Sequence, residues 1–295
     1  MKSKTAKAVL CAALGNIIWG FSFLFTRVCL DVAANPTVLL SHRFLLSAMF
    51  MGTSILIGKS KVSLKGKNWK PFVILLATQV GYFLFETYGL VYTNATIAGM
   101  VLAVAPVITI GTGALFLKEY PTRQQAMFCI VPVVGVIIMT VSGKELGVVT
   151  TIGMILLLLT MLDSAIFKTA NRKAAMEFTP FERTFFVLSL SSLVFTVIAL
   201  STVGWDVKTY IAPVLQVKYI LPLVSLSLLC SIVANLLVNY AAGILSVFQL
   251  ASFGSLSTLC SMVSGVVFLG EPVSISLLLG AVLILVGVHQ VTKPK

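Results

Sequence analysis

Two side chains in this sequence are of a kind that apolar surroundings do not tolerate alone. Arg43 and Glu86 each sit inside a long apolar run. A lone charge in hydrocarbon costs at least ~2.5 kcal/mol, so each must face a partner, a cavity or a function. A carboxylate so placed can take up a proton or a cation, and a guanidinium at the same depth can compete for its oxygens. Neutral polar residues gather in the same pattern. Gln79, Tyr82, Phe83 and Glu86 recur at i, i+3, i+4 and i+7, which puts them on one helix face. Asn16, Gly20 and Phe23 share a face beside Trp19, and Ser231, Asn235 and Asn239 repeat every fourth residue. Small and polar residues on one side of a membrane helix turn toward protein. Trp19, Arg43, Gln79, Tyr82, Glu86, Asn235 and Gln249 are therefore expected to line a central cavity.

Other chemistries find little support. The histidines are His42 and His289, and there is neither an HExxH pair nor a compact His/Asp/Glu cluster. No GxxxxGK[ST] loop is present, which disfavours direct ATP coupling. Cys11, Cys29, Cys129, Cys230 and Cys260 all fall in apolar spans without CxxC spacing, and read as small packing residues. No catalytic residue, metal ligand or cofactor is expected.

The elements that carry these residues follow from composition. Apolar residues make up 58% of the chain and charged residues 10%, with a mean hydropathy of +1.05. A soluble domain carries about a quarter of its residues charged. The apolar runs have the length that crosses ~30 Å of hydrocarbon. They do not alternate polar with apolar, so they are helices and not barrel strands. The sequence predicts an all-α polytopic membrane protein with ten spans, at 6–30, 37–57, 71–92, 95–117, 124–142, 149–169, 181–203, 218–241, 245–268 and 274–291. Asn35-Pro36 makes a turn, and the proline suits the start of the second helix. The basic MKSKTAK segment leads into a full-length span without a small-residue cleavage site, so the first helix is expected to stay in the protein.

Charge sets the expected orientation. One side holds Lys2, Lys4, Lys7, Lys59, Lys61, Lys65, Lys67, Lys70, Lys118, Arg123, Lys168, Arg172, Lys173, Arg183, Lys293 and Lys295. The other holds Lys144, Lys208 and Lys218. Sixteen against three is a positive-inside bias that puts both termini in the cytoplasm. The formal net charge of +12 is then explained by topology and anionic lipid, and no nucleic-acid partner is implied. The expected partners are the bilayer, a small-molecule substrate and a proton. Monomer and homodimer both remain compatible.

The chain also contains one stretch twice. A shift of 152 carries Tyr88 onto Tyr240, Gly113 onto Gly265, Phe116-Leu117 onto Phe268-Leu269, Glu119 onto Glu271 and Gly135-Val136 onto Gly287-Val288. A shift of 144 carries Phe23 onto Phe167 and Pro36 onto Pro180, but Trp19 onto Asp163. The halves are residues 1–145 and 146–295. Five helices per half is odd, so the halves are expected to be inverted, with the site between them near the midplane. Pro106, flanked by glycines, marks a kink or hinge in the fourth helix. Its counterpart, Thr258, breaks the symmetry. Glu119 and Glu271 are expected to cap the helix that follows each of them. Arg43 lies about six residues, or ~9 Å, into its span, and Glu86 lies at the same depth in the next, so the two are expected to pair.

These residues together resemble the drug/metabolite transporter superfamily, and specifically its EamA-type permeases. Trp19-Gly20, Arg43-Phe44, the Tyr88 to Pro106 stretch, and the Phe-Leu-Lys-Glu and Phe-Leu-Gly-Glu endings at 116–119 and 268–271 carry the resemblance. It covers nearly the whole chain, with Asp163 and Thr258 as departures. It implies a secondary transporter in the bacterial cytoplasmic membrane that exports small polar metabolites such as amino acids and their derivatives, with proton coupling. The competing readings are a nucleotide-sugar or sugar-phosphate carrier and, further off, a membrane-embedded enzyme. A phosphate carrier needs several cations converging on the cavity, and Arg27, Arg43 and Lys168 are the candidates.

Overall fold

The computed structural model describes residues 2–33, 35–63, 66–92, 105–141, 150–269 and 275–292, and all regular structure among them is helical. In the first half lie α1 (Lys2–Leu30), α2 (Pro36–Leu56), α3 (Lys70–Val91), α4 (Ala105–Leu117) and α5 (Arg123–Val141). The second half holds α6 (Thr151–Ala174), α7 (Pro180–Thr202), the short α8 (Val207–Ile211), α9 (Val217–Ala242), α10 (Val247–Leu269) and α11 (Ile275–Thr292). Among the described residues, α1, α2, α3, α6, α7 and α9 are each long and apolar enough to cross a bilayer. Shorter apolar stretches lie within α5 and α11. Parts of the expected fourth, fifth, sixth and tenth spans fall on 93–104, 142–149 and 270–274, outside the described residues.

Helix starts obey local chemistry. Asn35 Oδ1 accepts from Thr37 N at 3.0 Å, with Pro36 in the first helical position of α2. Thr179 and Glu182 form a reciprocal capping box at α7, again with a proline, Pro180, in first place. Thr150 caps α6 by accepting from Gly153 N at 3.1 Å. The expected sixth span is longer than its apolar run. Helix α6 continues to Ala174, so Lys168, Arg172 and Lys173 stand on the helix itself.

The eighth span departs from regularity. Pro222 lies inside α9, where it lacks an N–H and crowds the preceding turn. One turn later, Leu226–Val233 widens to π-helical geometry. Several carbonyls of that segment are engaged by side chains. Ser227 O accepts from Ser47 Oγ at 3.2 Å, Cys230 O from Trp19 Nε1 at 2.9 Å, and Ser231 O from Asn235 Nδ2 at 2.8 Å.

Lipid is as apolar as leucine, so helix association in a membrane rests on close packing and hydrogen bonds. The principal pairings are α3 with α6, α1 with α9 and α10, α2 with α7, and α5 with α11. Exchanging the two halves relates these pairings: α3–α6 becomes α9–α1, α1–α10 becomes α6–α4, which also pack, and α2–α7 and α5–α11 map onto themselves. Thr37 meets Thr202 and Ser41 meets Thr196, so the counterparts α2 and α7 run antiparallel. Where α5 crosses α11, a Cβ on Gly135 would lie 2.8 Å from Gly280 O and 3.0 Å from Leu283 Cβ. Only glycine allows that approach. In the α2–α7 contact, Phe44 stacks on Phe195 with centroids 5.2 Å apart.

The two ends of the bundle are joined differently. At the end where α1 begins, Lys67 Nζ pairs with Glu182 Oε2 at 2.6 Å, and Glu182 Oε1 accepts from Ser63 N at 2.9 Å. Arg172 Nε donates to Glu119 Oε1 at 3.0 Å, and Val247 N donates to Glu119 Oε2 at 2.9 Å. Glu119 thus caps α10 and not, as its position in sequence suggested, the following α5. The tertiary fold brings the α10 start closer than the local one. Its repeat counterpart, Glu271, lies outside the described residues. At the opposite end the links among the described residues are neutral. Thr37 and Thr202 hydroxyls meet at 3.0 Å, Ser41 meets Tyr210 at 2.7 Å, and buried His42 Nδ1 meets the Tyr219 hydroxyl at 2.8 Å.

Glu119 therefore fixes stability by two separable contributions. Glu119→Gln keeps an oxygen for Val247 N and loses the ion pair, which is partly exposed and worth ~0.2–1 kcal/mol. Glu119→Ala also loses the cap, for a total of ~1–3 kcal/mol. Thermal unfolding in detergent should rank wild type above Gln and Gln above Ala; an alanine variant as stable as wild type rules out the cap.

Candidate functional site

Between the halves lies a cavity of about 480 Å³, in the range of small-molecule sites. The sequence concentrates polar residues on inward faces of α1, α2, α3, α6 and α9, and the helix pairings turn those faces toward one space. Trp19, Arg43, Gln79, Tyr82, Glu86 and Asn235 all stand on its wall, and Pro106, at the start of the described part of α4, stands there too.

The wall has internal order. Trp19 gives its indole N–H to Cys230 O, so the ring is fixed against the π-helical segment of α9. Tyr82 OH donates to Glu86 Oε1 at 2.8 Å, one turn away on the same face. Arg43 Nε donates to Ser231 Oγ at 2.8 Å, and its guanidinium lies 5.7 Å from the Phe44 ring centre and 5.5 Å from that of Phe83. Ring faces of this kind attract a cation. The Arg43 backbone is held as well, its carbonyl accepting from Ser47 Oγ at 2.7 Å and Ser227 Oγ at 3.0 Å.

Two expectations are corrected by this geometry. Arg43 and Glu86 share the cavity but make no direct ion pair; among the described residues the ion pairs are Lys67–Glu182 and Arg172–Glu119. Depth along neighbouring helices was a sound guide to a shared level but ignored rotation about each axis. Ser231, the repeat counterpart of Gln79, takes the Arg43 Nε instead. Gln249 is not on the wall. Its Oε1 accepts from Ser246 N and Ser246 Oγ, both at 3.1 Å, and the Ser246 hydroxyl accepts from Gln249 N at 3.4 Å. That is a capping box at the α10 start. The Ser246-x-x-Gln249 spacing was its signal in the sequence.

Lys168, counted above with the cytoplasmic charges and also among the candidate cavity cations, lines the cavity from α6. Asn171 lines it one turn on and belongs to a buried network below it. Arg183 Nη1 donates to Asn171 Oδ1 at 2.6 Å, and Asn171 Nδ2 donates to Asn239 Oδ1 at 2.8 Å. Asn239 Nδ2 then donates to Thr184 Oγ1 at 2.8 Å, and Arg183 Nη2 reaches Asn239 O. Arg183 is 1% exposed, so this cation is part of the core and not of a cytoplasmic loop. Of the cations a phosphate-bearing substrate would need, Arg43 and Lys168 face the cavity; the Arg27 side chain lies outside the described residues. Asp163 lies off the wall, against Gly81 of α3, where a Cβ would collide with its carboxylate.

Comparison with known proteins agrees with this architecture. The model of the EamA-like transporter family matches residues 6–141 and again 151–292. An uncharacterized transporter of Bacillus subtilis (strain 168), YcxC, is 34% identical over 292 residues, covering 98% of this chain and 93% of that one. An uncharacterized transporter of Archaeoglobus fulgidus is 24% identical over 182 residues, 61% of this chain and 63% of that one. A solved crystal structure superposes with a TM-score of 0.77 at 17% identity, over 97% of this chain and 96% of that chain, which shows a shared fold. With two matches of one family model placed end to end along an integral membrane chain, this protein belongs to the EamA-like transporter family.

Proposed function

We propose that this protein exports a small polar metabolite, an amino acid or a derivative of one, by alternating access, with a proton as the coupling ion. The observation that carries the reading is the cavity between the repeats, whose polar groups come from both. Trp19, Gln79, Tyr82 and Glu86 are supplied by the first half, Lys168, Ser231 and Asn235 by the second. A site built in this way opens to one side or the other when the halves rock against each other.

The same reading takes the chain as ten spans in two inverted five-helix repeats. The antiparallel course of α2 and α7, and the exchange symmetry of the helix pairings, support it. Both termini lie in the cytoplasm, on the charge bias of the sequence, and the membrane is the bacterial cytoplasmic one. The clamped end of the bundle is then cytoplasmic. Residues of the cavity wall run from the outer turns of α1, α2 and α3 at Leu30, Pro36 and Thr87 to the inner turns of α6, α9 and α10 at Asn171, Val238 and Leu250. Inward opening requires the Lys67–Glu182 and Glu119–Arg172 bridges to part.

Glu86 is the proton carrier. Among the described residues it is the one carboxylate on the wall, with Tyr82 donating to one oxygen. Protonation removes the negative charge at the level of Arg43 and leaves the guanidinium as the uncompensated charge of that level. In proteoliposomes, Glu86→Gln should lower transport driven by a pH gradient at least tenfold while leaving substrate counterflow within about threefold of wild type. Unchanged gradient-driven transport in that variant removes Glu86 from the coupling.

Orientation has its own test. Lys61, exposed in the segment between α2 and α3, is replaced by cysteine in a variant stripped of native cysteines. A membrane-impermeant maleimide should label it only after permeabilisation, and labelling in intact cells reverses the topology.

A further inference from the structure

The charges of the cavity wall are unequally distributed. Among the described residues they are Arg43, Glu86 and Lys168, two positive and one negative. Arg43 lies over Phe83, three residues from Glu86 on α3, so these two opposite charges occupy one level and offset each other. Lys168 stands elsewhere. Antiparallel packing puts Gly81 against Asp163 and Gly89 against Leu157. Counting residues from those contacts, at 1.5 Å each, Lys168 lies on the order of 12–15 Å from Glu86 along the bundle axis, toward the clamped end.

Lys168 has no hydrogen-bond or ion-pair partner among the described residues. Its ammonium approaches Gly254 of α10, where a Cβ would sit 3.6 Å from Nζ, and it opens onto the cavity beside Ser164 and Ser255. Arg183, a few residues deeper, is a useful contrast, because carbonyl and amide oxygens take up its guanidinium. A cation left bare in a cavity inside a membrane is a costly arrangement with no structural return. The missing counter-charge is one that comes and goes.

We propose that Lys168 is the acid-recognition residue of this transporter: the substrate carries a single carboxylate, which pairs with the Lys168 ammonium at the inner end of the cavity. The inference rests on the metabolite-export reading above and narrows it. An α-amino acid bears its charges on neighbouring atoms, so its ammonium cannot reach Glu86 while its carboxylate holds Lys168. The acid group is therefore the common requirement, and the remainder of the molecule points toward Tyr82. A free amine lacking the acid is excluded by Lys168, and a phosphate dianion exceeds the single uncompensated charge.

The test uses matched probes: a panel of L-amino acids, the amines left by removing each carboxylate, the acids left by removing each amino group, and glucose 6-phosphate. Binding is read as ligand-induced thermal stabilisation of purified full-length protein, and transport as counterflow in proteoliposomes. In wild type, amino acids or carboxylic acids should bind and their amines should not. Lys168→Met should weaken acid binding at least tenfold, and Lys168→Arg should restore most of it. Monodisperse elution of both variants certifies folding, and a misfolded Lys168→Met is replaced by Lys168→Gln. Amines binding as well as acids, glucose 6-phosphate binding in preference to carboxylates, or undiminished acid binding in Lys168→Met each overturn the assignment and leave the transporter reading standing. If wild type itself binds no member of the panel, the metabolite reading falls with it.

Discussion

Hydrocarbon offers no hydrogen bonds, and every polar group in this chain is placed under that constraint. Backbone groups are satisfied by making the spans helical, and side chains by turning them toward other helices. The second requirement leaves a signature in sequence, because polar residues must recur at helical spacing on one face. Once several such faces exist, they have to meet one another. The cavity is the place where they meet with space left over, and its polar wall is a consequence of how the helices shield their own polar sides from lipid.

The repeat supplies the symmetry of that meeting, and α9 shows where the symmetry is given up. Its counterpart α3 begins at Lys70 with Pro71 in the first turn, where proline costs nothing. Helix α9 starts several residues earlier, at Val217, so Pro222, the counterpart of Lys70, falls inside it. The interrupted ladder is followed by the π-helical turn, and π-turns are over-represented at functional sites. Here the widened turn presents Cys230 O to Trp19 and the Ser231 hydroxyl to Arg43. Two of the wall residues are thus positioned by an irregularity that their own half does not share.

Much of this was legible in the sequence, and the failures have identifiable causes. Helical spacing located Trp19, Gln79, Tyr82, Glu86 and Asn235 because a face is a local property. The offset of 144 found the matching starts of α2 and α7 because Pro36 and Pro180 make the same cap twice. Gln249 was misplaced because a polar residue in a first turn can face its own cap as well as a cavity, and Ser246 three residues earlier decides for the cap. Arg183 was misplaced because a tally of charges by position counts a residue near a helix start as exposed, whatever packs against it. Helix α7 begins at Pro180, and Arg183 in its first turn is buried against Asn171 and Asn239. The partners of Arg43 and Glu119 depend on rotation and tertiary packing, which no spacing within one helix contains.

The two ends of the bundle differ in the physics of their contacts. Among the described residues, one end is closed by charged pairs with backbone caps attached, and the other by hydroxyl, amide and imidazole groups. Each neutral hydrogen bond contributes roughly 0.5–1.5 kcal/mol net, because water replaces it when it opens. The Arg172–Glu119 bridge is partly exposed at 25% and 23%, so water screens it and keeps it in the same modest range. Lys67–Glu182 is more enclosed, at 13% and 3% exposure, and Glu182 also serves the α7 cap and Ser63 N. If the segment between α2 and α3 swings away, Lys67 and Ser63 N leave with it, but Thr179 N and Oγ1 still donate to the carboxylate, so no bare charge is stranded. Arg183 has no such latitude: its acceptors are Asn171 and Asn239, in α6 and α9, and separating those helices would strip a buried guanidinium. The rigid unit of the clamped end is therefore α6, α7 and α9 around Arg183.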